Sequence, residues 1–249
     1  MADIALITGA SAGLGVEFAK QLSSKGHRLV LVARRKDRLD ELAAELGNSR
    51  AVELDLSEPG AARRLMADLA SNGETAGLLV NNAGFGLAGK FADLDAARQR
   101  EMIDLNCGAL SELARAVLPG LIERKGGGIL NVASTAAFQP GPGMAVYFAT
   151  KAFVLSLSEA LHDEAKRHGV KVSCLCPGPT RTEFRVVSGF NPKGPASKQS
   201  ADAASVVRAG LEGLERNKAV VVPGMANKAI AQFHRFFPRA LVRRAARMK

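Results

Sequence analysis

The chain has 249 residues, of which 47% are apolar and 23% are charged. This length and composition are typical of one globular α/β domain, and they exclude a long disordered chain, a collagen and a coiled coil. The net charge of +10 comes from the end of the chain, where nine basic residues and no acidic residue follow Glu215, so it does not predict that the whole protein binds nucleic acid.

The predicted elements alternate between short apolar strands and longer amphipathic helices. Strands are predicted at Ile4–Thr8, Arg28–Ala33, Ala51–Leu54, Gly77–Asn81, Gly128–Ala133, Val170–Cys176 and Ala219–Val222, and helices at 14–25, 37–46, 59–71, about 95–124, 147–168 and 201–215. Continuous apolar strands that alternate with helices predict a parallel sheet covered on both faces. Right-handed connections then give a doubly wound Rossmann sheet of about seven strands in a single domain.

We expect residues 1–224 to form this domain and residues 225–249 to form a basic amphipathic helical extension of it. Apolar residues recur at helical spacing after Met225, and Pro238 is expected to interrupt the helix. The apolar face either packs on its own domain or a subunit partner, or lies on an anionic membrane, where each basic residue contributes about 1 kcal/mol. The irregular stretch Ser188–Ser200 is either a loop over a site or a surface connection.

A glycine-rich turn joins the first predicted strand to the first predicted helix. It reads Thr8-Gly9-Ala10-Ser11-Ala12-Gly13-Leu14-Gly15. Glycines let the backbone approach phosphates closely, and the helix N-terminus offers unpaired N–H groups and a partial positive charge. The position directly after a strand favours a site for a dinucleotide pyrophosphate over a turn that binds no ligand.

The second predicted strand ends without the acidic residue that accepts the ribose hydroxyls of NAD in Rossmann proteins. The sequence there is Val32-Ala33-Arg34-Arg35-Lys36. A carboxylate would repel a 2′-phosphate, whereas an arginine can bind one with two parallel hydrogen bonds. The pattern therefore favours NADP over NAD, and its alternative interpretation is a solvated basic turn.

Tyr147 is the only tyrosine of the chain, and Lys151 follows it by four residues. Residues at this spacing share one face of a helix, where the ammonium group would lower the pKa of the phenol towards working pH. Such a phenol suits proton transfer to or from an alcohol or carbonyl oxygen, although the spacing is also typical of a helix surface. Ser134 is expected at the carboxyl end of a strand, where doubly wound sheets bind ligands.

In their order and spacing, these motifs resemble those of the short-chain dehydrogenase/reductase family over nearly the full length of the chain. Thr8–Gly15 is similar to the family's TGxxxGxG turn, and Asn81–Gly84 to its NNAG motif. The residues that match the catalytic tetrad are Asn106, Ser134, Tyr147 and Lys151. Within the family, the chain looks closest to the poorly assigned bacterial branch related to the ketoacyl and 17β-hydroxysteroid reductases.

The resemblance implies an NADP-dependent enzyme that transfers hydride between NADPH and a ketone or secondary alcohol. Tyr147 would be the general acid and base, Ser134 would hydrogen-bond to the same substrate oxygen, and Lys151 would supply positive charge. Asn106 would hold a water that links Lys151 to solvent. The implied cofactor contacts are Gly9, Ser11, Gly13, Leu14, Gly15, Arg34, Arg35, Asp55, Leu56, Asn82, Ala83, Gly84, Tyr147, Lys151, Pro177, Gly178 and Thr180.

The alternative is an NADP-sensing or membrane-surface binding protein that uses the same fold without turnover. Apolar residues near the motifs suit an apolar substrate, although each also fits an ordinary core: Phe85, Phe138, Met144, Phe148, Phe184 and Val187. Three cysteines and four scattered histidines predict neither a disulfide framework nor a metal site. We expect a cytoplasmic protein without a signal peptide, a nucleic-acid partner or a metal, and by analogy a homodimer or homotetramer.

Overall fold

The computed structural model describes residues 2–189, 200–233 and 236–246. Within these ranges, seven strands form one sheet in the order β3-β2-β1-β4-β5-β6-β7, and every neighbouring pair is parallel. The strands are β1 (Ala2–Thr8), β2 (Leu29–Ala33), β3 (Ser49–Glu53), β4 (Glu74–Asn81), β5 (Gly128–Val132), β6 (Lys171–Leu175) and β7 (Val220–Val221). The predicted doubly wound parallel sheet in a single domain is confirmed.

Helices cover both faces of this sheet. They are α1 (Gly13–Ser24), α2 (Lys36–Leu46), α3 (Ala61–Ser71), α4 (Ala96–Ile103), α5 (Leu110–Glu123), α6 (Ala145–Lys166), α7 (Phe184–Val187), α8 (Ala203–Glu215), α9 (Met225–Phe233) and α10 (Arg239–Ala245). Alternate residues of a strand point to opposite faces. Ile4 and Leu6 therefore pack with α3 and α5, while Ala5 and Ile7 pack with α1, α2 and α8.

A π-turn separates α4 from α5 within the helical stretch that the sequence predicts at about 95–124. The turn spans Asp104–Ala109, and the chain continues directly into α5. Turns with this wider hydrogen-bond spacing are rare and occur frequently at functional sites. Hydrophobic periodicity does not reveal such a turn, because the apolar pattern on each side of it is helical.

The strand order reverses between β1 and β4, where the chain returns from the outer strand β3. Loops that leave the sheet at such a reversal diverge and open a crevice at the carboxyl ends of the strands. The buried Thr8 side chain joins the two loops here. Its Oγ1 accepts hydrogen bonds from the backbone N–H groups of Asn82 and Ala83, both at 3.0 Å. The Asn82 side chain donates in return to the carbonyl oxygen of Thr8, at 2.9 Å.

The end of the chain packs beside this edge of the sheet. Helix α9 lies against the turn that follows Ser134, and its Asn227 contacts Gly178. Pro238 directly precedes α10, a position where a proline needs no backbone N–H. No helix in the described ranges is long and apolar enough to span a bilayer. Most of the stretch Ser188–Ser200 lies outside the described residues, so its two interpretations stay predictions.

We expect Thr8→Val to lower the free energy of unfolding by about 2–4 kcal/mol, because two buried backbone N–H groups lose their acceptor. Thr8→Ser, which keeps the hydroxyl and loses a methyl group, should cost about 1 kcal/mol. Urea unfolding of the three proteins measures both values. Equal losses in the two variants would show that the hydroxyl does not hold the loops.

Candidate active site

A cleft of about 620 Å³ runs along the carboxyl edge of the sheet. It brings together all but one of the residues that the resemblance implies for the cofactor, and it adds Ser134 of the tetrad. The exception is Gly15, which lies behind the wall of the cleft. A Cβ atom there would collide with the carbonyl of Gly9, so this glycine allows α1 to pack closely on β1.

The glycine-rich turn fits a pyrophosphate. Gly9 and Gly13 have φ angles of +67° and +55°, which favour glycine. A Cβ on Gly9 would lie 2.8 Å from the Cα of Ala83, so only a glycine lets the turn approach that loop. Ala12, at the N-cap of α1, offers no side chain to cap the first backbone N–H groups. These groups are the donors that a phosphate at a helix N-terminus uses.

The basic end of the cleft contains carboxylates that come from distant parts of the chain. Arg34 lies 3.4 Å from a carboxylate oxygen of Asp55 and 3.1 Å from one of Glu101. Arg35 lies 3.0 Å from Glu183, and its Nε lies 3.2 Å from Ser11 Oγ. Burial raises the pKa of Asp55, but hydrogen bonds from Ser57 and the charge of Arg34 hold it below its usual value. The sequence at the end of β2 has no acidic residue, but the fold brings Asp55, Glu101 and Glu183 close to the two arginines.

Ser134 and Tyr147 both line the cleft, and the Ser134 hydroxyl favours the ionised form of the Tyr147 phenol. Ser134 caps the short turn Thr135–Phe138 by accepting from the backbone N–H of Ala136 at 3.1 Å. Burial raises the pKa of Tyr147 to about 12, and the hydrogen bond with Ser134 opposes that rise. The expectation that Lys151 lowers this pKa is therefore wrong for the protein without its ligands, because burial outweighs the other effects.

Lys151 is a buried ammonium group without a carboxylate partner among the described residues. Its Nζ donates to the carbonyl oxygen of Val132 at 2.9 Å and lies 5.8 Å from the ring centre of Tyr147. Burial lowers its pKa to about 8. The neighbouring groups that oppose this shift are thiols: Cys174, Cys107 and Cys176. Lys151 can therefore gain or lose a proton close to neutral pH.

Asn106 lies in the π-turn and is fully buried. Its Oδ1 accepts from the N–H of Phe85 at 3.1 Å, and its Nδ2 donates to the carbonyl of Phe85 at 2.9 Å and to Thr150 Oγ1 at 3.1 Å. The Thr150 hydroxyl donates in turn to the carbonyl of Tyr147 at 2.8 Å. Both amide hydrogens are thus in use, and neither is left for the expected water. Asn106 instead fixes Phe85 relative to the first turn of α6.

A second buried chain of polar groups supports the site from below. Asn81 donates from Nδ2 to the carbonyl of Leu110, at the end of the π-turn, and to Asn131 Oδ1 at 3.0 Å. Asn131 donates to Ser158 Oγ at 2.9 Å. These bonds join β4 and β5 to the start of α5, which follows the π-turn with Asn106, and to α6, which carries Tyr147 and Lys151. The sheet therefore sets the positions of both helices.

Several residues of the cleft were not predicted from the sequence. They include Ala12, Val132, Gln139, Thr182 and Glu183. Thr182 and Glu183 follow shortly after Pro177, Gly178 and Thr180, which the resemblance implies for the cofactor, and this proximity was the only local signal for them. Phe138 does not line the cleft and packs against the apolar cluster around Cys174. Of the two interpretations given for this residue, the structure thus favours the ordinary core position.

Residues 3–189 match the model of the short chain dehydrogenase family. The chain is 40% identical over 192 residues to sulfoacetaldehyde reductase 2 of Chromohalobacter salexigens, a match that covers 75% of this chain and 76% of that protein. It is 38% identical over 198 residues to the NADP-dependent 3-hydroxy acid dehydrogenase YdfG of Escherichia coli K12, covering 78% and 80% of the two chains. The chain belongs to the short-chain dehydrogenase/reductase family and is an oxidoreductase.

The fold is also similar to that of a solved short-chain dehydrogenase from Sphingobium yanoikuyae in complex with NADPH. The two chains superpose with a TM-score of 0.84 at 37% identity, over 92% of this chain and 90% of the other. Members of this family use nicotinamide cofactors, and the cleft described above has the glycine-rich turn that such a cofactor needs.

We expect the free energy of unfolding to rise between pH 8 and 10.5 through the titration of Lys151. The pKa of this group is about 8 in the fold, against a usual value of 10.5, so the unfolded chain binds more protons in this window. Lys151→Met should lose this part of the rise, whereas Lys166→Met, at an exposed position of the same helix, should keep it. Urea unfolding across the window measures the slopes, and equal slopes in both variants would contradict a buried titrating lysine.

Proposed function

We propose that the protein is an NADP-dependent reductase of ketones, or dehydrogenase of the matching secondary alcohols, on apolar substrates. The observation that carries this proposal is the half-buried hydroxyl of Ser134 beside the buried phenol of Tyr147. The pair lies in a cleft that has the glycine-rich turn at one part and apolar side chains at another. Such a pair suits the protonation of an oxygen atom on which negative charge develops.

NADPH, when bound, supplies the hydride. Tyr147 then donates its proton to the substrate oxygen, and Ser134 donates a hydrogen bond to the same oxygen. A pKa of about 12 keeps the phenol protonated at neutral pH, so Tyr147 holds the proton that reduction of a ketone needs. Oxidation of an alcohol needs the phenolate instead, and the charge of Lys151, 5.8 Å from the ring centre, favours that form.

Lys151 is the group that restores the proton of Tyr147 in this proposal. Its pKa of about 8 lets it exchange protons near working pH, and its hydrogen bond to Val132 holds it below the ring. Asn106 is a positioning residue, because its amide contacts only protein groups. The family resemblance implies that Asn106 holds a water that links Lys151 to solvent. This water stays part of the proposal, and atoms of Asn106 other than the amide hydrogens would bind it.

The apolar wall supports a neutral substrate. Val187 lines the cleft, and the four other members of the wall pack around Tyr147: Phe85, Met144, Phe148 and Phe184. Among the described lining residues, the basic ones are Arg34, Arg35 and Lys151, and the two arginines lie at the opposite, cofactor end. Two relatives are named for anionic compounds, sulfoacetaldehyde and 3-hydroxy acids. Lys151 is the one basic residue at this end among the described lining residues, and the guanidinium of Arg98, which does not line the cleft, lies 4.8 Å from the centre of the Phe85 ring.

A sensor that binds NADP without turnover is the alternative function. The intact set of Ser134, Tyr147 and Lys151, with Asn106 behind it, favours an enzyme, because binding alone does not need a hydrogen-bonded proton donor beside the cleft. NADPH consumption with a panel of ketones and ketoacyl compounds separates the two functions.

We expect Tyr147→Phe to keep NADPH binding and to lower turnover by about 10²–10⁴-fold, the usual contribution of one general acid. The ring still packs against Phe184, whose centre lies 5.3 Å away, so the fold should be retained. Stopped-flow or steady-state oxidation of NADPH with the best ketone of the panel measures turnover, and nucleotide fluorescence measures binding. Wild-type rates in the variant would remove Tyr147 from the mechanism.

Arg34→Ala and Arg35→Ala should each weaken NADPH binding by about 10–100-fold, the effect of losing a charged hydrogen bond. NADH, which lacks the 2′-phosphate, should be affected much less. Arg167→Ala is the matched control, because this exposed arginine follows α6 at the other edge of the sheet. An unmodified protein that binds NADH as tightly as NADPH would refute the NADP preference.

We also propose that the C-terminal segment contacts anionic membranes. Ala231 and Val242 are buried against the domain, but Met225, Ile230, Phe236 and Leu241 are exposed by 51–82%. Basic residues accompany them, and no acidic residue follows Glu215. A segment that combines exposed apolar side chains with basic residues suits an anionic lipid surface. Helix α9 also packs beside the cleft, which would bring the entrance of an apolar substrate close to the lipid.

The full-length protein should sediment with vesicles that contain phosphatidylserine at low salt, and less at moderate salt. The double variant Arg243→Gln and Arg244→Gln should bind at least about tenfold more weakly, because each charge contributes about 1 kcal/mol. The pair Lys166→Gln and Arg167→Gln is the control at the other edge of the sheet. If the protein stays in the supernatant at both salt concentrations, the membrane proposal fails.

A homodimer or homotetramer built on α4, α5 and α6 stays a prediction. Ile103 and Phe153, which lie on the first and last of these helices, are exposed by 42% and 44%. Large apolar side chains at these positions support an interface between copies of the chain.

A further inference from the structure

Glu183 lies between two arginines at the basic end of the cleft. Its Oε2 is 3.0 Å from Arg35 Nη1, and its Oε1 is 2.7 Å from Arg38 Nη1. Arg35 also donates from Nη2 to the carbonyl oxygen of Ser11 at 3.1 Å. The carboxylate thus bridges the start of α2 and the glycine-rich turn to the segment that contains α7.

The contacts of Glu183 are those that a phosphate would need. A phosphate and a carboxylate bind the same edges of a guanidinium group, and each can bridge two of them. Hydrogen bonds from Arg38 and Arg35 hold the pKa of Glu183 below its usual value, so its charge is present at neutral pH. Arg38 was not among the predicted cofactor contacts, yet it shares this anion site with Arg35.

We propose that Glu183 competes with the 2′-phosphate of NADP(H) for Arg35 and Arg38, so that the phosphate releases residues 181–189 from α2. The inference rests on the proposed use of NADP. It makes Arg38 a second ligand of the 2′-phosphate and makes Glu183 a determinant of cofactor affinity.

The next residue connects this contact to the catalytic end of the cleft. The Phe184 ring lies 5.3 Å from the ring of Tyr147, at an angle of 46°. Further along the same segment, the carbonyl of Ser188 accepts from the N–H of Ala88 at 2.8 Å. Release of Glu183 would therefore free residues 181–189 from α2. The same segment contributes Phe184 and Val187 to the apolar wall of the cleft. A nucleotide with a 2′-phosphate would loosen that wall, and one without it would not.

Two other roles for Glu183 give different results. If its carboxylate orients Arg35 for the phosphate, its removal weakens binding of a 2′-phosphate. If the ion pairs are of the ordinary exposed kind, worth little, its removal changes nothing. Competition alone predicts that removal of the carboxylate strengthens binding, and only for nucleotides that have the 2′-phosphate.

Calorimetric titration with 2′,5′-ADP and with 5′-ADP separates these roles without any turnover. In Glu183→Gln, 2′,5′-ADP should bind about two- to tenfold more tightly, the combined effect of two exposed ion pairs, while 5′-ADP binds as to the wild type. Glu215→Gln is the matched control. Glu215 lies at the end of α8, is exposed and pairs with Lys25, so its substitution should change neither affinity. Unchanged or weaker binding of 2′,5′-ADP to Glu183→Gln would overturn the proposal.

Arg38→Ala, added to Glu183→Gln, should remove at least the whole gain for 2′,5′-ADP, and a retained gain would exclude Arg38 as a ligand.

Hydrogen exchange tests the release itself. The amides of Val187 and Ser188, which bond to Glu183 and Phe184, should exchange faster with 2′,5′-ADP than with 5′-ADP bound, and equal or slower exchange would contradict it. If the wild type binds 2′,5′-ADP no more tightly than 5′-ADP, the proposed use of NADP fails, and the competition fails with it. If the wild type prefers 2′,5′-ADP and Glu183→Gln binds it with the same affinity as the wild type, only the competition fails.

Discussion

The hydroxyl of Thr8 holds together the two loops on which the whole site depends. The strand order reverses between β1 and β4. The loops after these two strands therefore leave the sheet in opposite directions and would otherwise separate. Thr8 accepts from both N–H groups at the start of the second loop, which sets the glycine-rich turn against Ala83. Asn106 then holds Phe85 of the same loop, so one chain of hydrogen bonds extends from the cofactor turn to the helix that carries Tyr147 and Lys151.

Burial is the second constraint, and it moves two pKa values in opposite directions. The phenol of Tyr147 is raised to about 12 and the ammonium of Lys151 is lowered to about 8, because a buried site disfavours the charged form of each. A pKa of about 8 still leaves Lys151 largely charged at neutral pH, so it can return a proton to the phenolate of Tyr147. A buried ammonium with one backbone carbonyl as its recorded hydrogen-bond partner reduces stability, and such a cost is common where a site is built for chemistry.

The strand order and most of the cleft could be predicted from the sequence, because both follow from local patterns. Apolar runs alternate with amphipathic helices, and the polar residues of the site directly follow strands. The missed features depend on distant contacts. Glu183 reaches Arg35 across 148 positions, and the π-turn around Asn106 has no apolar signature. The sequence left both a pocket and a core position open for Phe138, because sequence neighbours of Ser134 need not face the same side. The raised pKa of Tyr147 depends on burial, which the spacing to Lys151 does not report.

The contact between Asn227 and Gly178 has a consequence for synthesis of the protein. The glycine-rich turn, the NNAG loop and the tetrad are all translated before residue 227, so the phosphate end of the cleft can form before α9 leaves the ribosome. Until then, Gly178 and the turn after Ser134 lack the helix that packs on them. A chain that stops before α9 would therefore contain every residue of the tetrad and still lack one support of the catalytic end.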